Sequence, residues 1–134
     1  MRNFEELKVW QKSREVVLDV YQITSTFPSH EKFGLVSQLR RAAVSVAANI
    51  AEGSRRSSDI ELTRFLDIAD GSLAEVECLM ILSRDIGFID GETLGFSRSR
   101  IEEVSKMLYA FKKKLSPKAE PSGLTARGSK LEAV

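Results

Sequence analysis

Gln38-Leu-Arg-Arg-Ala-Ala-Val-Ser-Val-Ala-Ala-Asn-Ile-Ala-Glu-Gly53 is the stretch on which the fold turns. Val36, Leu39, Ala43, Val46 and Ile50 recur at alternating spacings of three and four, so they form one stripe of a 3.6-period helix. Arg41, Ser45, Ala48 and Glu52 fall on the opposite side. Most remaining positions are alanine, which lets a neighbouring helix come close. Gly53 is expected to adopt a left-handed conformation and end the helix. A polar turn, Ser54 to Ser58, follows at once and carries Arg55 and Arg56.

Working outward, an N-terminal helix is expected from about Phe4 to Ser25, with Asn3 and Glu6 at capping-box spacing. Its core face reads as Leu7, Trp10, Val17, Tyr21 and Thr24, with Val20 beside it. Val9 and Trp10 add apolar surface beyond one stripe. Pro28 disfavours helix at Phe27 and separates this helix from the second. The second helix starts near Phe33 or Leu35. Ser58-Asp59-Ile60-Glu61 is a capping box and opens a third helix, Asp59 to about Ile86. Leu62, Phe65, Leu66, Ala69, Leu73, Val76 and Met80 form its stripe. Gly71, inside this helix, costs about 1 kcal/mol against alanine, and a close helix contact is its simplest explanation. Cys78 reads as a small buried or half-buried hydrophobe. Gly87 ends the third helix, Phe88 and Ile89 can pack across the bundle end, and Asp90 can cap a fourth. Leu94, Ile101, Leu108 and Leu115 recur every seven residues, with Ser97, Val104 and Phe111 in the other seam position. Lys112, Lys113 and Lys114 suit the negative end of that helix.

Four amphipathic helices joined by short connections predict an all-α, up-down-up-down four-helix bundle. One bundle domain is expected over residues 1–115 and a disordered tail over 116–134, where Pro117, Pro121, Gly123 and Gly128 interrupt any apolar period. The chain has 134 residues, of which 43% are hydrophobic. That is enough for one core. No apolar run approaches the length of a membrane span. The acidic N-terminus is unlike a signal peptide, and a single cysteine fits a reducing compartment, so cytoplasm is the default.

Net charge is +1, but it is segregated. Residues 32–56 carry Lys32, Arg40, Arg41, Arg55 and Arg56 against Glu52 alone. Residues 59–90 are strongly acidic, and residues 91–114 are basic again. Such segregation fits intramolecular pairing, or a basic surface for an anionic partner. Charge alone favours the first.

Catalytic constellations are missing from the pattern. The chain has one histidine, His30, in a polar turn, so it lacks the Glu-x-x-His pairs of a di-iron bundle. The segment Gly53–Ser58 has one glycine and is no phosphate loop. No enzyme activity, metal or cofactor is expected.

At Gln38-Leu-Arg-Arg-Ala-Ala and Asn49-Ile-Ala-Glu-Gly-Ser-Arg-Arg the chain resembles the four-helix-bundle family of the 23S ribosomal RNA intervening-sequence protein, also called the S23 type. Phe4, Leu7, Lys8, Val9, Trp10 and Gln11 match the family's opening pattern. Phe27-Pro28, Glu31, Phe33-Gly34-Leu35 and Gln38 match the entry to its second helix, and Phe65-Leu66, Ala69, Gly71-Ser72-Leu73 and Glu75 its third. The resemblance covers about residues 4–115. It implies a cytoplasmic bundle assembled as a ring-shaped homopentamer, with no enzymatic activity attached. A distantly similar group serves retroelement reverse transcriptases as a nucleic-acid-binding accessory.

Two functions follow as expectations. One is an oligomer that holds RNA or DNA weakly through phosphates, with Arg40, Arg41, Arg55 and Arg56 as contacts, because arginine offers a planar fork of donors. The other is a structural adaptor for a protein partner. Arg41 and Glu52 could instead be bonded to each other within or between subunits, with Asn49 ordering the helix end. In that case Asn49, Glu52 and Gly53 form a structural motif.

Overall fold

The structure, a computed structural model, describes residues 3–115. The tail expected over 116–134 lies outside the described residues. Four helices account for nearly all of that length: α1 (Lys8–Thr24), α2 (Leu35–Ser54), α3 (Asp59–Ile86) and α4 (Gly91–Leu115). No strand occurs among the described residues. Each helix packs on its two neighbours, in the order α1, α2, α3, α4 and back to α1, without close approach across either diagonal. Short connections make successive helices antiparallel, as the sequence predicts.

Two caps fix helix starts. Ser58 Oγ accepts from the Glu61 amide at 3.1 Å and opens α3 at Asp59. Asp90 Oδ1 accepts from the Thr93 amide at 2.7 Å and opens α4. That bond favours the charged carboxylate and holds the Asp90 pKa below its usual 3.8. The far end of the bundle is plugged by Phe27 against Phe88, ring centroids 5.3 Å apart.

The core is leucine, valine, isoleucine and alanine from all four helices, with Leu39, Val46, Ile50, Leu62, Leu66 and Leu108 sealed from solvent. The α2 stripe and the heptad seam of α4 lie where their periodicities place them, with Phe111 and Leu115 only partly buried. Serines fill the tight places. Ser13, Ser54 and Ser83 are buried, and each hydroxyl donates to a carbonyl of its own helix, at Trp10, Ala51 and Leu79 respectively.

Several expectations need correction. The N-terminal helix does not run unbroken from Phe4. A 3-10 turn, Phe4–Glu6, precedes it, and Leu7 is extended before α1 begins at Lys8. Asn3 Oδ1 takes the Glu5 amide at 3.2 Å, which tightens the turn, and Phe4 folds back edge-on against Trp10. The buried face of α1 is Val9, Ser13, Val16, Val20 and Thr24. Val9, expected to add outer surface, is in the core, while Tyr21 is exposed. The helix has two apolar stripes, and the inward one is disguised by Ser13. On α3, Phe65 is half-buried, and the stripe continues instead through Leu79 and Ser83. Cys78 is exposed.

The glycines differ most from expectation. Gly53 is inside α2 and does not cap it; Gly87, at φ 100°, is the left-handed residue among those described. A Cβ on Gly53 would sit 2.7 Å from Phe65 Cβ and 3.1 Å from Leu62 Cδ1. It is glycine because α3 crosses there. Gly71, expected at a close helix contact, is open, with nothing within 4 Å of a built Cβ.

These positions give opposite outcomes in urea denaturation of dilute protein. Gly53→Ala forces Phe65 and Leu62 apart and lowers stability by about 1–3 kcal/mol. Gly71→Ala raises it by up to about 1 kcal/mol. Equal effects at the two sites would contradict the crossing. Asp90 adds a pH dependence. Its folded-state pKa lies below the unfolded value, so its contribution is present above about pH 4 and is lost as pH falls through the lowered pKa. Asp90→Ala therefore lowers the melting temperature at pH 7, and the gap to wild type closes in strong acid.

Candidate nucleic-acid interface

The four arginines of the basic stretch do not gather at one place. Arg40 is engaged within the chain. Its Nε donates to Thr24 Oγ1 at 2.9 Å, its guanidinium reaches the Tyr21 carbonyl at 3.4 Å, and it stacks on the Tyr21 ring at 4.5 Å. It latches α2 to the end of α1. Arg56 bonds Glu52 at 2.8 Å, one helical turn away, and lies over the Phe65 ring. Arg41 is exposed and, among the described residues, has no acid partner. Arg55 is also exposed and without an acid partner; it stands over the Phe4 ring at 5.8 Å. Fourteen residues of helix put Arg41 and Arg55 about 21 Å apart along the axis.

The alternative pairing of Arg41 with Glu52 is not made within the chain, since Glu52 goes to Arg56. Asn49 does not order the helix end. Its amide donates to the Ser45 carbonyl at 2.8 Å and to Ser45 Oγ at 3.0 Å. Ser45 in turn reaches Ser72 of α3 at 2.8 Å, so Asn49 belongs to a polar seam between α2 and α3. Gly53 belongs to the helix crossing described above.

Elsewhere the charges answer one another. The bases of α4 meet the acids of its two neighbours. Arg98 bonds Glu77 at 2.9 Å and Lys112 bonds Asp67 at 3.1 Å, tying α4 to α3. Arg100 reaches Glu15 and Asp19, and Lys12 reaches Glu103 at 3.6 Å, tying α1 to α4. Burial raises the Asp19 carboxyl above its ordinary range, Arg100 pulls it down, and Glu15 adds to the rise. Of the acids in 59–90, Asp67, Asp70 and Glu77 are met by bases of α4 in this way. Charge in 32–56 has no such counterpart, apart from Glu52.

A second surface was only partly legible in the sequence. Phe4, Trp10, Val17, Val44, Ala48 and Ala51 line an apolar groove of about 390 Å³ between α1 and α2, with Arg14 at its edge. Trp10 is partly buried there, while Val44 is 42% exposed. The outer line of α1, expected to be core, forms one wall. Alanines of α2 form the floor.

Among the described residues, no group of three or more histidine, cysteine, aspartate or glutamate side chains is placed to hold a metal ion. His30 is exposed, 3.8 Å from Glu31. No helix among the described residues is long and apolar enough to cross a membrane.

Comparison with known proteins places this geometry. A search of the curated proteins finds no match. Among solved structures, a protein of unknown function from the S23 ribosomal protein family of Bacteroides thetaiotaomicron VPI-5482 is similar in fold, with TM-score 0.73 and 24% identity, over 78% of this chain and 98% of that one. The family model described as 23S rRNA-intervening sequence protein matches residues 5–110. That match takes in all of α1, α2 and α3 and most of α4, so the chain belongs to the 23S rRNA-intervening sequence protein family.

Proposed function

We propose that this chain is a non-enzymatic, cytoplasmic, self-associating bundle that holds RNA or DNA weakly through phosphates. The observation that carries the nucleic-acid reading is the state of Arg41 and Arg55: both are exposed and neither is neutralised by an acid. Arg40 and Arg56 serve the fold first. Arg41 and Arg55 of a single copy are two separated cations, too few by themselves for useful affinity. Assembly repeats them and turns weak contacts into a multivalent surface. The apolar groove between α1 and α2 supports assembly, because Trp10 and Val44 lie along it in a single chain. The proposed count is five, the number that the family resemblance implies. Phe33, 88% exposed, is the one exposed ring in the basic stretch, so base stacking contributes little and sequence preference is weak.

The same groove favours a second reading, a structural adaptor that binds a protein partner. The two readings part on salt. Phosphate contacts release counterions, and two of them already imply about a tenfold loss of affinity between roughly 50 and 200 mM salt.

Filter binding of labelled RNA and DNA across that salt range tests the proposal. Wild type is expected to bind at low salt with a steep salt dependence. Arg41→Ala/Arg55→Ala is expected to keep its oligomeric mass and lose most of the binding. Binding by the double variant equal to wild type removes these arginines from the site; no binding by wild type at low salt leaves the adaptor. Light scattering should give about five times the 15.0 kDa chain mass. In the same preparations, Arg41→Ala is expected to change stability by less than about 0.5 kcal/mol. Arg40→Ala should cost about 1–2 kcal/mol, through the lost Thr24 bond and Tyr21 stacking.

A further inference from the structure

The turn that precedes α1 is not explained by the core. None of Phe4–Glu6 is fully buried, yet the turn is held at several points. Asn3 Oδ1 accepts from the Glu5 amide, and the Glu6 and Leu7 amides donate to the Asn3 and Phe4 carbonyls at 3.1 and 3.0 Å. The Gln11 side-chain amide donates to the Glu5 carbonyl at 2.9 Å. What the turn fixes is one ring. Phe4 lies edge-on to Trp10, centroids 5.1 Å apart, and the Arg55 guanidinium stands over Phe4 at 5.8 Å. A line of contacts thus runs from α1 through the turn to the arginine that follows α2.

Arg55 differs in this from the other three arginines of the basic stretch. Arg41 has neither a ring contact nor an acid partner among the described residues. Arg40 and Arg56 also lie over rings, at 4.5 and 4.8 Å, but each spends guanidinium donors inside the chain, on Thr24 and the Tyr21 carbonyl or on Glu52. Arg55 combines the ring contact with unspent donors: its guanidinium makes no hydrogen bond and no ion pair among the described residues. A ring attracts the cation without taking a donor. The N–H fork stays free for a bidentate acceptor such as phosphate. Glu5 and Glu6 of the same turn are exposed and pair with no base among the described residues, so the ring and not a counter-charge holds Arg55.

We propose that Phe4 is a positioning residue for the phosphate contact of Arg55. The turn holds the ring, and the ring holds the guanidinium with its donors free. The inference rests on the nucleic-acid reading above and names, within it, the arginine that is ordered before the ligand arrives. Immobilising a long side chain is a cost of binding. Arg41 meets that cost on contact, whereas Arg55 has met part of it in the free chain. Two arginines of equal charge therefore contribute unequally, Arg55 more than Arg41.

A double-mutant cycle on the full chain tests this, by filter binding of a labelled DNA duplex and a labelled single-stranded RNA at low salt. Arg55→Ala is expected to weaken binding more than Arg41→Ala. Phe4→Leu keeps an apolar side chain in the turn and is expected to weaken binding about threefold, with Phe4→Tyr at the wild-type level. In the Arg55→Ala background, Phe4→Leu is expected to cost nothing further. Salt dependence separates position from charge: Arg55→Ala makes it shallower, because a phosphate contact is lost, and Phe4→Leu leaves it as in wild type. Gln11→Ala frees the turn without touching ring or guanidinium and is expected to weaken binding in the same Arg55-dependent way. Circular dichroism and light scattering check that helix content and mass are kept. Wild-type binding by both Phe4→Leu and Gln11→Ala overturns the positioning role. So does an equal loss with and without Arg55, which marks Phe4 as a support of fold or assembly alone. If wild type binds and Arg55→Ala binds equally well, Arg55 is no contact and this inference falls while the nucleic-acid reading stands. A wild type that binds neither probe at low salt overturns both.

Discussion

The close crossing of α2 and α3 at Gly53 governs this bundle. Phe65 and Leu62 occupy the space that a side chain on residue 53 would need, so the side chains of α3 pack directly on the α2 backbone there. This crossing brings the two helices into their most extensive contact, with the polar seam of Ser45, Asn49 and Ser72 further along it. It also sets where the turn carrying Arg55 and Arg56 emerges. The remaining helices are then placed by the two faces that α2 and α3 leave open, and α4 closes the square through its heptad seam.

Electrostatics divides the molecule in two. Around α4, opposite charges are paired across helix boundaries, at Arg98–Glu77, Lys112–Asp67 and Arg100–Glu15. These pairs are exposed or half-exposed, and each contributes little on its own. Their effect is to orient α4 against both neighbours. Along α2 the charge is instead left facing water or spent on aromatic rings. Two of the four arginines became structural because tyrosine, threonine and glutamate stand within reach of them. The other two stayed available because no acid does.

Much of this could be read from the residues. The α3 boundaries at Asp59 and Ile86 were written in Ser58, Glu61 and Gly87, whose chemistry is local. The α2 stripe was clear because every member is large and apolar or alanine. The buried face of α1 is hidden in the sequence because Ser13 occupies a core position where its hydroxyl is satisfied within the helix, while Trp10 and Tyr21 advertise a stripe that faces outward. The sequence pattern puts Gly53 at a helix end and Gly71 in a helix contact, whereas Gly53 holds the contact and Gly71 is open in mid-helix. A glycine's reason depends on what crosses it, which is a tertiary fact. Likewise the residue-level pattern showed four arginines in one basic segment, but not that Thr24 and Tyr21 had already taken one of them.

The buried serines bear on how freely such a sequence can drift. Ser13, Ser54 and Ser83 each return their hydrogen to a carbonyl of their own helix. Each is polar by composition, yet none recognises anything across the core. At these three positions the interior imposes volumes on its neighbours without dictating partners, whereas Thr24 with Arg40 and Ser45 with Ser72 bond across helices. Around Ser13, Ser54 and Ser83, a substitution on one helix need not await a matching donor or acceptor on another. That freedom is consistent with one architecture persisting at 24% identity in the Bacteroides relative. On the outer surface, by contrast, exchange of a single side chain changes what the bundle can touch without altering what it is.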